Sequence, residues 1–185
     1  AQHPRLEIEL QANARVVDLV QEKIDVAIRI GSLPDSMLVA RRLGYERLII
    51  VAAPEYLRRR GTPQRAADIE RHDVVQFAPF GWGEYWLIDD PQGERRRVRV
   101  HPRLVCDSGE ALVAAVRAGA GLGAVPNWMV PQELASGALV QVLAGWGRES
   151  VPIHALHAGG GLAAAKVRVF VEHMARWFAG QSWVR

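Results

Sequence analysis

Six consecutive apolar residues, Leu48-Ile49-Ile50-Val51-Ala52-Ala53, constrain this chain more than any other feature. A strand with one wet face alternates apolar and polar side chains. A run without polar breaks predicts a strand covered on both faces, which is the habit of α/β proteins. Pro54 stops the run.

The flanking patterns predict the rest of such a fold. Leu6, Ile8 and Leu10 alternate with Glu7 and Glu9, the period-2 signature of a strand with one polar face. Val16, Val17, Leu19, Val20 and Ile24 form a stripe at helical spacing, and Val26-Ala27-Ile28-Arg29-Ile30, ended by Gly31, predicts a second strand. Strand, helix and strand in this order predict a βαβ unit with parallel strands. Ser32-Leu33-Pro34-Asp35-Ser36 is turn chemistry. Val74-Val75-Gln76-Phe77 is a short strand broken by Pro79 and Gly81, and Trp86-Leu87-Ile88 with Arg97-Val98-Arg99-Val100 frames a hairpin around Asp89-Asp90-Pro91-Gln92-Gly93. Leu104-Val105-Cys106 is a strand, Asp107 or Ser108 caps a helix from Glu110 to Ala118, Gly119 and Gly121 end it, and Leu122 to Val125 is a strand stopped by Pro126. Strand Val151–His157, a loop at Gly159-Gly160-Gly161, and a helix with Val167, Phe170, Val171, Met174, Trp177 and Phe178 on one face close the chain.

With 185 residues, 49% of them hydrophobic, the chain suits one large domain or two small lobes. No segment reaches the roughly 18 to 20 uninterrupted apolar residues of a membrane helix, and residues 1–15 hold no apolar stretch of the secretory type. The lone Cys106 cannot form an internal disulfide, so a reducing, cytoplasmic location is expected. Of 23 basic residues all but Lys23 and Lys166 are Arg, and 20 acidic residues are interspersed, which argues against a dedicated nucleic-acid surface. Arg58 to Arg60 are expected on a solvated helix face, and Arg95-Arg96-Arg97 on a wet hairpin edge.

Several groups are candidates for chemistry. Gly119-Ala-Gly121-Leu-Gly-Ala124 has the G-x-G-x-x-A spacing of a dinucleotide fingerprint, but a helix precedes it and a strand follows, the reverse of what pyrophosphate binding needs. His154 and His157, three apart in a strand, point to opposite faces, and His72-Asp73 lacks ligand-spaced partners, so no metal is expected. Asp107-Ser108-Gly109-Glu110 offers a hydroxyl between acids without a nucleophile elbow. It reads equally as a helix cap and as a helix start that holds an anionic or polar ligand. Cys106 beside it reads as packing or as a thiol activated by the helix terminus. Trp82, Trp86 and Trp128 are core residues by default and candidates to line a ligand site. No nucleophile–base pair emerges, so the chain is not read as an enzyme, and no cofactor is expected.

A family pattern runs through the same residues. Val17-Asp-Leu-Val-Gln-Glu-Lys-Ile-Asp-Val-Ala-Ile-Arg-Ile-Gly31, with Leu33, Asp35-Ser36 and Leu38-Val-Ala-Arg-Arg-Leu-Gly44, closely resembles the effector-binding domain of LysR-type transcriptional regulators. So do Ala53-Pro-Glu-Tyr-Leu57 with Gly61-Thr-Pro63, Asp68-Ile69 before His72, and Asp107-Ser-Gly-Glu-Ala-Leu through Gly119-Ala-Gly-Leu-Gly-Ala-Val-Pro126. Leu134-Ala-Ser-Gly-Ala-Leu-Val140 and Lys166-Val-Arg-Val-Phe170 extend the match to nearly the whole chain.

The resemblance implies an α/β, two-lobe fold like that of type 2 periplasmic binding proteins, with a ligand cleft between lobes. The lobes would be 1–53 with 148–185, and 54–147. It implies effector contacts at Gly31, Ser32 and Leu33 in lobe one, and at Phe77, Ala78, Asp107, Ser108, Pro126 and Asn127 in lobe two. An acid at Asp107, where the family commonly has Asn, disfavours an anionic effector nearby. The family's winged helix-turn-helix, its linker helix and the first strand of lobe one have no counterpart in the sequence. Promoter DNA would therefore be reached only through that missing N-terminal part.

The implied function is cytoplasmic sensing of a small organic effector, with homodimers or homotetramers forming through this domain and no membrane partner. The alternatives are a solute-binding protein of a transport system and a thiol-based redox or electrophile sensor using Cys106. Quinones, aldehydes, aromatic acids and amino-acid-like effectors all remain open.

Overall fold

The structure is a computed structural model that describes residues 3–4, 6–12, 17–33, 35–158 and 165–181, without the side chains of 148–150. Val16, Pro34 and the Gly159-Gly160-Gly161 loop lie outside the described residues. Among those described, the strands in chain order are β1 (Ala27–Ile30), β2 (Leu38–Ala52), β3 (Asp73–Phe77), β4 (Tyr85–Asp89), β5 (Arg95–Arg99), β6 (His101–Cys106), β7 (Leu122–Pro126) and β8 (Val140–Ala158). The helices are α1 (Pro54–Arg60), α2 (Gly109–Arg117), α3 (Pro131–Ser136) and α4 (Ala165–Ala179), with 3₁₀ turns at Ala66–Arg71, Ala78–Phe80 and Asn127–Met129.

The chain forms a first unit, Ala1–Tyr45 with Val151–Arg185, and a second, Glu46–Ser150. It leaves the first unit once and returns. The changeovers fall inside the long strands β2 and β8, whereas the sequence reading puts them at Ala53-Pro54 and Gly147-Arg148. The apolar half of β2 pairs with β7, from Leu48↔Pro126 to Val51↔Gly123, which makes it part of the second unit.

In the first unit β1 pairs antiparallel with β8, from Ala27↔Leu156 to Ile30↔Ile153. α4 forms over the expected stripe and buries Val167, Val171 and Phe178 against Leu43, Ile153 and Ala155. Trp177, at the margin of the stripe, stays 49% exposed.

The expected βαβ unit does not form. Residues 6–12 carry no strand, and Ile8 and Leu10 are exposed. Alternation selects a face, but a strand also needs a neighbour for its backbone groups. The helical stripe yields one turn. Asp18 Oδ1 accepts the N–H of Val20 and Gln21 at 2.9 and 3.1 Å. Lys23 then adopts φ +55°, and the N–H groups of Lys23 and Ile24 close back onto Val20 and Leu19. A cap five residues before a left-handed C-terminal stop leaves no room for a second turn.

In the second unit the strand order is β5-β4-β8-β2-β7-β3-β6. β3 is parallel to both β6 and β7, whereas β2 is antiparallel to β7. Leu48, Ile49, Ile50, Val51 and Ala52 are all at most 2% exposed, as a strand covered on both faces requires. Around them pack Tyr56, Ile69, Val74, Trp86, Leu112, Val116, Leu122 and Leu139.

Pro54 stops β2 and opens α1 from its first turn, with Glu55 near the positive end and Arg58–Arg60 near the negative end. The Arg run lies on a wet face as expected, with side chains about half exposed or more. The β4–β5 hairpin also forms as expected. Its edge is charged: Arg95 pairs with Asp89, Arg96 with Asp90 at 2.8 Å, and Arg97 lies over the Tyr85 ring at 3.7 Å.

Candidate functional site

Parallel strands end on the same side of their sheet, and the chain breaks that follow supply the loops where open α/β sheets take ligands. β7, β3 and β6 are three such neighbours in the second unit. β3 ends at Phe77 and turns into Ala78–Phe80, which Gly81 closes with φ +63°. β6 ends at Cys106, directly across from Phe77 in the ladder, and leads through Asp107 and Ser108 into α2. β7 ends at Pro126 and turns into Asn127–Met129. The structure thus brings the ends carrying Phe77, Ala78, Cys106, Asp107, Ser108, Pro126 and Asn127 to one edge. Gly31, Ser32 and Leu33 follow β1 in the first unit, where Gly31 takes φ +107° and donates its N–H to Pro152 O at 2.9 Å.

Ser108 is the cap of α2. Its Oγ accepts the Ala111 N–H at 3.3 Å and donates to Glu110 Oε2 at 2.8 Å. That hydroxyl holds the Glu110 carboxyl below its usual range. The carboxylate in turn answers the positive end of the helix. Gly109 leaves room for Met129 after β7, since a Cβ there would sit 2.7 Å from its Cε.

Cys106 is half-buried, and its Sγ–H lies 3.7 Å from Gln76 O. Burial first, and the adjacent Asp107 charge second, push the thiol up from its ordinary value. The environment favours the unreactive thiol over the thiolate.

Of the three tryptophans, Trp86 belongs to the core at 1% exposure, so it lines no ligand site. Its position on β4 faces inward, and its Nε1–H is satisfied by Gln76 Oε1 at 2.8 Å. Trp128, 37% exposed, donates to Glu46 Oε2 at 2.7 Å. Trp82 is half-buried and stacks on Phe80. Gln76 itself is buried, and its Nε2 donates to Gly83 O at 2.7 Å, which ties down the loop after β3. Sequence reasoning passed over Gln76, although a lone amide inside Val74-Val75-Gln76-Phe77 was the available signal. Asn127 was among the contacts the resemblance implies, but the sequence does not show that its Oδ1 is buried without a hydrogen-bond partner.

The other motifs resolve as structure. Gly119 takes φ +80° after α2, a Cβ on Gly121 would meet Asp73 O at 2.4 Å, and one on Gly123 would meet Val116 at 2.5 Å. These glycines serve a turn and close packing, with α2 before them and β7 after. His72 is buried, and its Nδ1 lies 3.0 Å from Tyr56 Oη, which accepts the Asp73 N–H at 2.9 Å. Among the described residues no group of three His, Cys, Asp or Glu side chains is placed to hold a metal ion. None of the described helices is long and apolar enough to cross a membrane.

A family model described as the LysR substrate binding domain matches residues 1–179. An HTH-type transcriptional regulator of Xanthomonas campestris pv. campestris (strain 8004) is 33% identical over 178 residues, which are 94% of this chain and 52% of that protein. The HTH-type transcriptional regulator CrgA of Neisseria meningitidis serogroup C (strain 8013) is 30% identical over 173 residues, 93% of this chain and 57% of that protein. The chain therefore spans about half the length of the curated relatives it matches. Among solved structures, the full-length Vibrio cholerae virulence activator AphB, a member of the LTTR protein family, superimposes with a TM-score of 0.81 at 28% identity, covering 96% of this chain and 60% of that one. The CrgA regulatory domain of Neisseria meningitidis superimposes with a TM-score of 0.75 at 29% identity, covering 86% of this chain and 78% of that one.

Proposed function

This chain belongs to the LysR substrate-binding domain family, and from that premise we propose that it senses a small organic effector on behalf of a LysR-type transcriptional regulator. The observation that carries this reading is the convergence of three parallel strand ends, of which the last leads to a buried amide oxygen without a partner. Phe77, Ala78, Asp107, Ser108, Pro126 and Asn127 are the proposed effector contacts of the second unit. Gly31, Ser32 and Leu33 are those of the first. In the intact protein, the domain would form homodimers or homotetramers in the cytoplasm and reach promoter DNA through a separate N-terminal helix-turn-helix.

The relatives' names as transcriptional regulators support this reading over a transport protein. The raised pKa of Cys106 gives no support to a thiol sensor. A thermal-shift screen of small organic compounds tests the proposal. At least one compound should raise the melting temperature in a concentration-dependent way, since a ligand of the native state stabilises it by mass action. The rise should shrink in Phe77→Ala and Asn127→Ala. An equal rise in both variants and the wild type would refute these strand ends as the site.

A further inference from the structure

Phe77, Phe80 and Trp82 form one aromatic cluster where β3 ends. Phe77 meets Phe80 edge-on with ring centroids 5.0 Å apart, and Phe80 stacks on Trp82 at 4.6 Å. All three are half-buried, so each keeps part of its surface open. The Gln76 amide, bonded to Gly83 O, holds the loop that carries two of them. Flat, pre-positioned rings of this kind favour flat rings as partners, edge-on or offset-stacked.

The neighbouring strand supplies a polar counterpart. Asn127 Oδ1 is buried and accepts no hydrogen bond. A buried acceptor without a donor is a standing cost that a ligand N–H or O–H removes. Val75 of β3 pairs with Gly123 of β7, so Phe77 lies two residues past that level and Asn127 four. Strand spacing and rise then put the strand ends at Phe77 and Pro126 roughly 6 Å apart, with Asn127 next along the chain, a distance a one-ring molecule spans.

Charge narrows the choice further. Residues 77–84, 106–110 and 126–129 contain Glu84, Asp107 and Glu110, and no Lys, Arg or His. Glu46, two residues before the Leu48 that pairs with Pro126, is buried and accepts the Trp128 N–H. Arg47 beside it already has a partner of its own. The start of α2, which would attract an anion, is answered by the Ser108 cap and by Glu110 in the first turn. Within those three segments a carboxylate or phosphate meets acids and no Lys, Arg or His side chain.

We infer that the effector of this site is a flat aromatic or heteroaromatic molecule, neutral or cationic, whose N–H or O–H donates to Asn127 Oδ1. The inference rests on the reading of the strand ends as the effector site.

Calorimetric and two-dimensional NMR titrations of the protein with five probes test it: indole, 4-cresol and benzylamine against benzoate and cyclohexylamine. The first three should bind saturably and shift the amides of 77–84, 106–110 and 126–129, and the last two should bind at least about tenfold more weakly. Asn127→Ala should weaken indole by about tenfold, and Asp107→Asn should weaken benzylamine while sparing indole. Benzoate binding as tightly as 4-cresol, cyclohexylamine as tightly as benzylamine, or indole unaffected by Asn127→Ala would each overturn the inference. If only non-aromatic or anionic compounds from a wider library shift these amides, the effector class is wrong and the site stands. If no small molecule of any class shifts them, the sensing function proposed for these strand ends fails with it.

Discussion

Gly121 and Gly109 are both tightly approached, yet the atoms approaching them differ in kind. A Cβ on Gly121 would meet the Asp73 carbonyl, which belongs to the ladder of β3 and cannot retreat without breaking it, whereas one on Gly109 would meet the flexible end of Met129. Gly121→Ala should therefore cost about 1–3 kcal/mol, the range of overpacked interiors, and Gly109→Ala clearly less. Urea unfolding of the two variants side by side measures the difference. Buried His72 sets a second expectation. Burial, reinforced by the Arg60 charge, holds the ring below the ordinary imidazole value of 6.5. The neutral ring is also the form whose Nδ1 can accept the Tyr56 hydroxyl. Because the folded pKa is lowered, the unfolded chain takes up the proton first as pH falls. The stability is complete above pH about 6.5 and drains away between that value and the depressed folded pKa. Urea midpoints measured from about pH 8 to about pH 5 should fall below pH about 6.5, and His72→Gln should flatten that dependence.

At the scale of elements, α2 has a structural role and, under the proposed function, a place beside the effector. Ser108 satisfies an N–H of its first turn, and Glu110 is bound to that same hydroxyl. Ser108→Ala should cost about 1 kcal/mol, as the loss of a helix cap does. As a proposed effector contact, Ser108 should also contribute to affinity, so calorimetry on the folded variant should show weaker effector binding, and unchanged affinity would leave the residue a cap alone. The elements legible in the sequence are those whose pattern completes itself locally. The stripe of α4, the run of β2, and the strand–turn–strand of β4 and β5 each carry their own periodicity and stop signals. The expected strand at Leu6–Leu10 and the helix through Ile24 were not legible, because a strand needs a partner edge and a stripe does not show where a helix stops. The Asp18 cap and the left-handed Lys23 reduce that helix to a turn. The candidate site was partly legible. The family resemblance implied Phe77, Asp107 and Pro126, which stand at chain breaks after apolar strands, but the register that sets Phe77 opposite Cys106 and the orphaned Asn127 oxygen are products of tertiary pairing.

At the scale of the molecule, the two-unit mixed α/β architecture is the periplasmic-binding-protein-like fold of LysR-type regulatory domains. The second unit holds a parallel core, β7-β3-β6, whose carboxyl ends converge, and the effector contacts proposed for this unit lie there. The basic residues described on the surface fit this assignment, because many answer acids on the same element or its neighbour, as in α1 and the β4–β5 hairpin. The most direct measurement is an amide NMR titration with the first compound that raises the melting temperature. The amides of residues 77–84, 106–110 and 126–129 should shift together and saturate at one common affinity. A saturating ligand that leaves those amides in place while moving others would contradict the proposed site.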